Sequence, residues 1–245
     1  MSTRIRRCYS FAMKAKVFGI GLNKTGTTTL GQCLAQLGYR HMGYRPDLLR
    51  ALYDGRTAEI FAEIDRYDSF EDWPYPLMYR ELAVRYPDAK FILTVRRDPD
   101  VWLKSLRRHS LRSRPFRHAR KIAYGYNYPH SAPDAHRDIY CRHNREVCEY
   151  LGDRVRVLCW ERGDGWPELC GYLGCDMPDE LFPHANAAAE LPIRRAIPNR
   201  ILQQLEAWNL ALSLRLQTLG AAPSKAAPAL DTPLEGTRKP SDQRQ

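Results

Sequence analysis

Between residues 19 and 29 the chain reads G19-I-G-L-N-K-T-G-T-T-T29, placing glycines, one lysine and four threonines around a single turn. Glycine lets the main chain bend so that successive N–H groups point at one spot, and a helix that starts there adds a partial positive charge. Lys24 brings a full charge, and Thr25, Thr27, Thr28 and Thr29 bring hydroxyl donors. That set of groups suits phosphate. The ATP-binding pattern G-x-x-x-x-G-K-[ST] is not met, because Asn23 precedes the lysine and Phe18 stands at the position of the first glycine.

Such a loop needs a strand before it and a helix after it. Lys16 to Ile20 (KVFGI) is a short apolar run that suits a buried strand. Leu30, Cys33, Leu34 and Leu37 follow at helical spacing, and Gly38 closes that helix. A second short strand is expected over 39–42, and helices over 46–53, 58–67 and 76–86. Phe91 to Val95 (FILTV) is the clearest strand. After it Asp98 suits a helix N-cap, with Pro99 in the first helical position and Asp100 in the first turn. Residues 108–133 are basic, tyrosine-rich and irregular, as in a segment that covers a site or is mobile. A helix over 135–151, a strand over 155–159 and a helix over 166–173 complete the alternation. The pattern predicts an α/β fold with a parallel sheet flanked by helices.

Ile197, Ile201, Leu205, Trp208, Leu212, Leu216 and Leu219 draw one more apolar stripe, read as a C-terminal packing helix. The expected organisation is therefore a flexible N-terminus (1–13), one domain (14–220) and a disordered tail (221–245) rich in Ala, Pro, Ser and charge.

The chain's 245 residues carry a net charge of +10. Ten Lys or Arg against Asp98 and Asp100 lie between Arg96 and Lys121, so the excess is concentrated there. A field of that sign favours anionic partners. No run approaches the ~18 apolar residues of a membrane span. The basic N-terminus is too broken for a secretory signal, and seven cysteines without a C-x-x-C pair suggest neither a disulfide framework nor a zinc site. The expected location is the cytoplasm.

At this point the sequence resembles the sulfotransferase family. Its 5′-phosphosulfate loop, K-[ST]-G-T-T, is matched by Lys24-Thr25-Gly26-Thr27-Thr28, and its second signature, R-[ND]-P with a serine eight residues after the arginine, by Arg97-Asp98-Pro99 and Ser105. YPDAKFILTVRRDP, Trp102–Ser105, WERGDGWPELCGYLG and FPHAN (182–186) are similar to a subgroup of short family members. The likeness spans roughly residues 16–190. It implies a P-loop NTPase-like fold and 3′-phosphoadenosine 5′-phosphosulfate as donor, without a metal. Asn23, Lys24, Thr25, Gly26, Thr27, Thr28 and Thr29 would hold the 5′-phosphosulfate, and Arg97 and Ser105 the 3′-phosphate. The spacing agrees, since Ser105 lies seven residues, close to two turns, from the Asp98 cap.

Within that resemblance Lys24 stabilises the leaving phosphate, and a base must take the proton of a small-molecule or glycan acceptor. His41, Glu63, Asp65, Asp68, Glu71 and Asp72 lie between the two motifs. Asp72, in D-W-P, resembles an acidic position of the subgroup and is favoured, with His41 in reserve. The late R-K-G segment of cytosolic members is not matched, because Arg238-Lys239 precede Pro240; the basic run 107–121 is a candidate replacement. Tyr124, Tyr126 and Tyr128 are candidates for the acceptor pocket or for loop packing. Two other readings stay open: a small-molecule kinase holding ATP and magnesium on Lys24-Thr25, and a polyanion-binding protein using residues 96–121. Nucleic acid is not the expected partner, since aromatic residues are scarce among those cations, with Trp102 and Phe116 alone.

Overall fold

A computed structural model describes residues 15–113, 119–183 and 196–218. The expected flexible N-terminus, the tail, residues 184–186 of the FPHAN segment, and Arg114, Phe116 and Arg117 lie outside the described residues.

Five short strands form one all-parallel sheet in the order β2-β3-β1-β4-β5. They are β1 (Val17–Gly19), β2 (His41–Met42), β3 (Ser69–Phe70), β4 (Lys90–Thr94) and β5 (Val155–Leu158). Nine helices accompany them among the described residues: α1 (Thr27–Gln36), α2 (Pro46–Tyr53), α3 (Thr57–Ile64), α4 (Tyr79–Arg85), α5 (Pro99–Arg112), α6 (Ala119–Tyr124), α7 (Pro133–Leu151), α8 (Trp166–Leu173) and α9 (Ala196–Thr218). This is the expected α/β class with helices flanking a parallel sheet.

β1 is central because both its faces are apolar and covered. Phe18 stacks on Phe70 and Phe91 on one side, while Val17 packs with Leu30, Leu34, Ile92 and Leu169 on the other. In register β1 pairs with β3 (Phe18 opposite Phe70) and with β4 (Phe18 opposite Phe91). A parallel sheet sends the carboxyl ends of all its strands to one edge, and open α/β sheets bind ligands there. The loop after β1 therefore shares an edge with Glu71-Asp72 after β3, Arg96-Arg97 after β4 and Trp160-Glu161 after β5.

Three sequence expectations need correction. β3 was not foreseen: two residues are too few to show a period. The helix expected over 76–86 is a 3₁₀ turn (Tyr75–Leu77) followed by α4. Residues 108–133 are not irregular throughout, because α5 runs on to Arg112 and α6 occupies 119–124. α5 is held by its buried Trp102, Leu103 and Leu106, and α6 by its buried Arg120 and Tyr124.

The chain divides into two compact units between Ala207 and Trp208. In the larger unit the first half of α9 joins the 111–131 stretch: Asn199 donates to the carbonyls of Leu111 (2.8 Å) and Ser113 (2.9 Å), and Glu206 accepts from the amides of Asn127 and Tyr128 (2.9 Å each). In the smaller unit Trp208, Leu212 and Leu214 are exposed on the rest of α9. Among the described residues no helix is long and apolar enough to cross a membrane.

Candidate active site

The loop between β1 and α1 is braced from inside. The Thr25 hydroxyl donates to the Leu22 carbonyl at 2.6 Å and meets the Thr94 hydroxyl of β4 at 2.7 Å. Gly21 must be glycine, because a Cβ there would lie 2.2 Å from the Thr94 hydroxyl and 2.4 Å from its carbonyl. Gly26 must be glycine twice over. Its φ of 99° belongs to the left-handed region, and a Cβ would lie 2.4 Å from the Trp160 ring, whose Nε1 donates to the Gly26 carbonyl at 3.1 Å.

Helices hold the loop from outside. Trp102 of α5 donates its Nε1 to the Asn23 carbonyl at 2.9 Å, and Tyr124 of α6 donates its hydroxyl to Asn23 Oδ1 at 2.5 Å. From α7, His143 Nε2 donates to the Ile20 carbonyl at 2.8 Å, and the Tyr140 hydroxyl accepts from the Arg96 amide at 2.9 Å.

Lys24 is thereby fixed with its ammonium in a half-buried setting. Burial, followed by the Arg96 guanidinium, lowers its pKa, while Asp72 works in the opposite direction. Among non-glycine described residues, positive φ occurs at Lys24 (71°) and Asp72 (64°). Such backbone costs about 1–3 kcal/mol per residue and clusters at functional sites. Here it sits on the two residues singled out for catalysis, at the ends of adjacent strands.

Asp72 accepts the Trp73 amide at 2.8 Å through Oδ1, and burial pushes its carboxyl up to about 6 despite that bond and despite Lys24. Glu71 is buried beside it, with Oε2 unpartnered. Burial first and the Asp72 charge second raise Glu71, while a hydrogen bond from the Thr27 hydroxyl lowers it.

The other base candidates are otherwise engaged. Glu63 pairs with Arg45 and Arg66, Asp65 with Arg85 and the Tyr86 hydroxyl, and Asp68 with Arg40. The His41 ring meets Ser69 Oγ at 3.0 Å and lies against Gly31 of α1, and burial lowers its pKa to about 4.

At β4 the two arginines part ways. Arg96 turns inward: its Nε donates to the Lys24 carbonyl at 2.7 Å and its Nη1 meets Glu161 at 2.7 Å. The Arg97 side chain is 65% exposed and 3.5 Å from Asp98, while its amide donates to Glu161 at 3.1 Å and its carbonyl accepts from Arg162 at 2.9 Å. Asp98 caps α5 by accepting the Val101 amide at 2.7 Å. Ser105 is half-buried on that helix, two turns along. Of the loop threonines, Thr25, Thr27 and Thr29 are buried and Thr28 is exposed.

The structure thus gathers Asn23, Lys24, Gly26 and Asp72, while the Arg97 guanidinium stays at the open rim. Sequence reasoning overlooked Arg96, Trp160 and Glu161. The doubled arginine after an apolar strand was a signal for the first. Nothing local announces the other two, whose partners are remote in the chain.

Comparison with known proteins follows the same lines. A family model described as a sulfotransferase domain matches residues 16–191. A curated relative, "Ava biosynthesis cluster protein M" of Aspergillus versicolor, is 28% identical over 209 residues, covering 69% of this chain and 80% of that protein.

Proposed function

We propose that this chain, which belongs to the sulfotransferase domain family, moves a sulfuryl group from 3′-phosphoadenosine 5′-phosphosulfate to a hydroxyl or amine of a small acceptor. The observation that carries the reading is the placement of Lys24 and Asp72. They are two backbone-strained residues on adjacent strand ends, and each charge perturbs the other.

The residues suit such a donor. Lys24 forms no ion pair among the described residues, and the Arg97 guanidinium is largely exposed, so both charges are open to an anion. The donor supplies the activated sulfuryl group, and the chain supplies position and charge. Lys24 and the first-turn amides of α1 hold the 5′-side and stabilise the negative charge that gathers there. Arg97 and Ser105 hold the 3′-phosphate. Asp72, ionised, accepts the acceptor's proton. The Thr25 hydroxyl, committed to Leu22 and Thr94, is poorly placed to ligate the magnesium of an ATP complex, which favours this reading over a kinase.

Calorimetry with adenosine 3′,5′-bisphosphate and with magnesium-ATP tests the donor. The bisphosphate is expected to bind tighter. In assays with labelled donor, Lys24→Ala loses turnover by about 10²-fold or more yet keeps much of its bisphosphate affinity. Arg97→Ala loses affinity instead, by about 1.5 kcal/mol, the low end for a charged hydrogen bond at so exposed a site. Tighter binding of magnesium-ATP defeats the proposal.

A further inference from the structure

The end of α8 carries two of the chain's seven cysteines. Gly174 takes the left-handed conformation (φ 72°), and the amides of Gly174 and Cys175 both donate to the Cys170 carbonyl, at 2.8 and 3.2 Å. A helix closed in this way lays the side chain that follows the glycine against the residue whose carbonyl it uses. Cys170 and Cys175 obey that rule, and their thiols share a hydrogen bond. Both are free thiols. Cys170 is buried in the apolar cluster that α8 shares with α1, while Cys175 is exposed.

The backbone is held on both sides of Cys175. Before it, Lys90 Nζ donates to the carbonyls of Tyr172 and Leu173 at 2.8 Å each, and the Tyr172 hydroxyl donates to the Arg154 carbonyl at 2.6 Å. After it, the Trp166 indole donates to the Glu180 carbonyl at 2.9 Å, and the Phe182 ring lies 5.4 Å from that of Trp166 and 5.1 Å from that of Trp160. The two thiols therefore meet because the fold holds the turn. Burial first and the Cys175 charge second push the Cys170 thiol up to about 12, so it stays protonated beside its neighbour. Sulfurs already in contact can be bridged with little backbone movement. Cys33 of α1 is a third thiol in the same cluster.

We infer that Cys170 and Cys175 form a site of reversible oxidation, which closes an intrachain disulfide when a peroxide reaches the exposed Cys175. The Cys175 thiol gives up its proton and its sulfur attacks one peroxide oxygen. The O–O bond breaks, leaving a sulfenic acid on Cys175 and one water. The Cys170 sulfur then attacks the Cys175 sulfur, the S–O bond breaks, and the departing hydroxide takes the Cys170 proton as a second water. Two electrons pass from the two sulfurs to the peroxide. The first step also removes the Cys175 charge that opposed ionisation of Cys170. Exchange with a dithiol returns both thiols. The inference does not depend on the donor or the acceptor proposed above.

The test treats the reduced full chain with hydrogen peroxide, blocks the remaining thiols with iodoacetamide and maps tryptic peptides by mass. No Lys or Arg lies between Arg162 and Arg194, so residues 163–194 form one peptide whose two cysteines are Cys170 and Cys175. That peptide is expected to be unalkylated and two hydrogens lighter than the dithiol, and dithiothreitol restores it. The bridged chain is expected to melt higher by about 2 °C or more, a gain that reductant removes and that Cys175→Ser lacks. Cys170 joined to Cys33, a link between two copies of the chain, or Cys175 carried on to sulfinic acid with Cys170 still free overturns the inference. So does a pair left unreacted once the exposed Cys141 is oxidised. A bridged chain that melts no higher overturns it too, because the bond then forms only by distorting the turn.

Discussion

Glu71 and Asp72 are consecutive acids whose carboxyls both lose water on folding, so their protons are held more tightly than usual. In the base role proposed for Asp72, this is expected to set the acid side of catalysis. A base works only when ionised, so kcat/KM is expected to rise with pH around 6, not near the ordinary aspartate value of about 4. In the role proposed for Lys24, an alkaline fall is expected, with burial holding its pKa below the ordinary lysine value. A pH–rate profile whose acid limb is unchanged in Asp72→Asn removes the aspartate from the base role. Glu71 makes a stability argument of opposite sign to a salt-bridged acid. Its folded pKa, pushed up to about 7, exceeds the unfolded one. Its contribution is therefore complete below pH 4.5 and disappears as pH rises through 7. Glu71→Gln never ionises, so it is expected to gain stability over the wild type at pH 8, on the order of 1 kcal/mol, and little at pH 4.5. Thermal melts at the two pH values decide it; equal differences at both contradict the buried, proton-holding carboxyl.

Among the elements, the loop after β1 is positioned by its neighbours more than by itself. Trp160 after β5, Trp102 from α5, Tyr124 from α6 and His143 from α7 each place one ring on a loop or strand-end atom. Gly26→Ala combines left-handed backbone, costing about 1–2 kcal/mol, with a clash against Trp160. It is expected to abolish bisphosphate binding while the far side of the sheet stays folded. Trp160→Ala relieves the clash, so the double variant is expected to regain part of the binding, which calorimetry on the three variants measures. α9 plays a comparable part for the segment between α5 and α7. Asn199 is buried with donors on two backbone carbonyls. Asn199→Ala leaves those carbonyls unmet, and a loss of about 1–3 kcal/mol is expected in chemical denaturation.

At the scale of the molecule, the net charge of +10 is distributed to suit the site. Exposed Lys104 and Arg108 of α5 and the exposed Arg97 guanidinium lie on or beside the helix that borders the loop. Their summed field is expected to steer the proposed anionic nucleotide toward it, and it is screened over a Debye length of about 10 Å at 0.1 M salt. Stopped-flow association of the bisphosphate is expected to slow with added salt more than its dissociation changes. A rate indifferent to salt would leave the basic helix without a role in capture.

Much of this was legible before any coordinates. The bounds of α2 and α8 coincide with those read from the sequence, and β1, β4 and β5 agree within a residue or two, because apolar runs, prolines and caps act within a few residues of themselves. The glycine- and threonine-rich turn at residues 19–29 and the candidacy of Asp72 were readable for the same reason. Tertiary structure alone decided which of two consecutive arginines turns inward, which of six base candidates stands beside Lys24, and that Trp160 packs on Gly26. Those outcomes depend on strand order and on side chains distant in sequence, and the number of ways to close such long loops is too large for local pattern to choose among them.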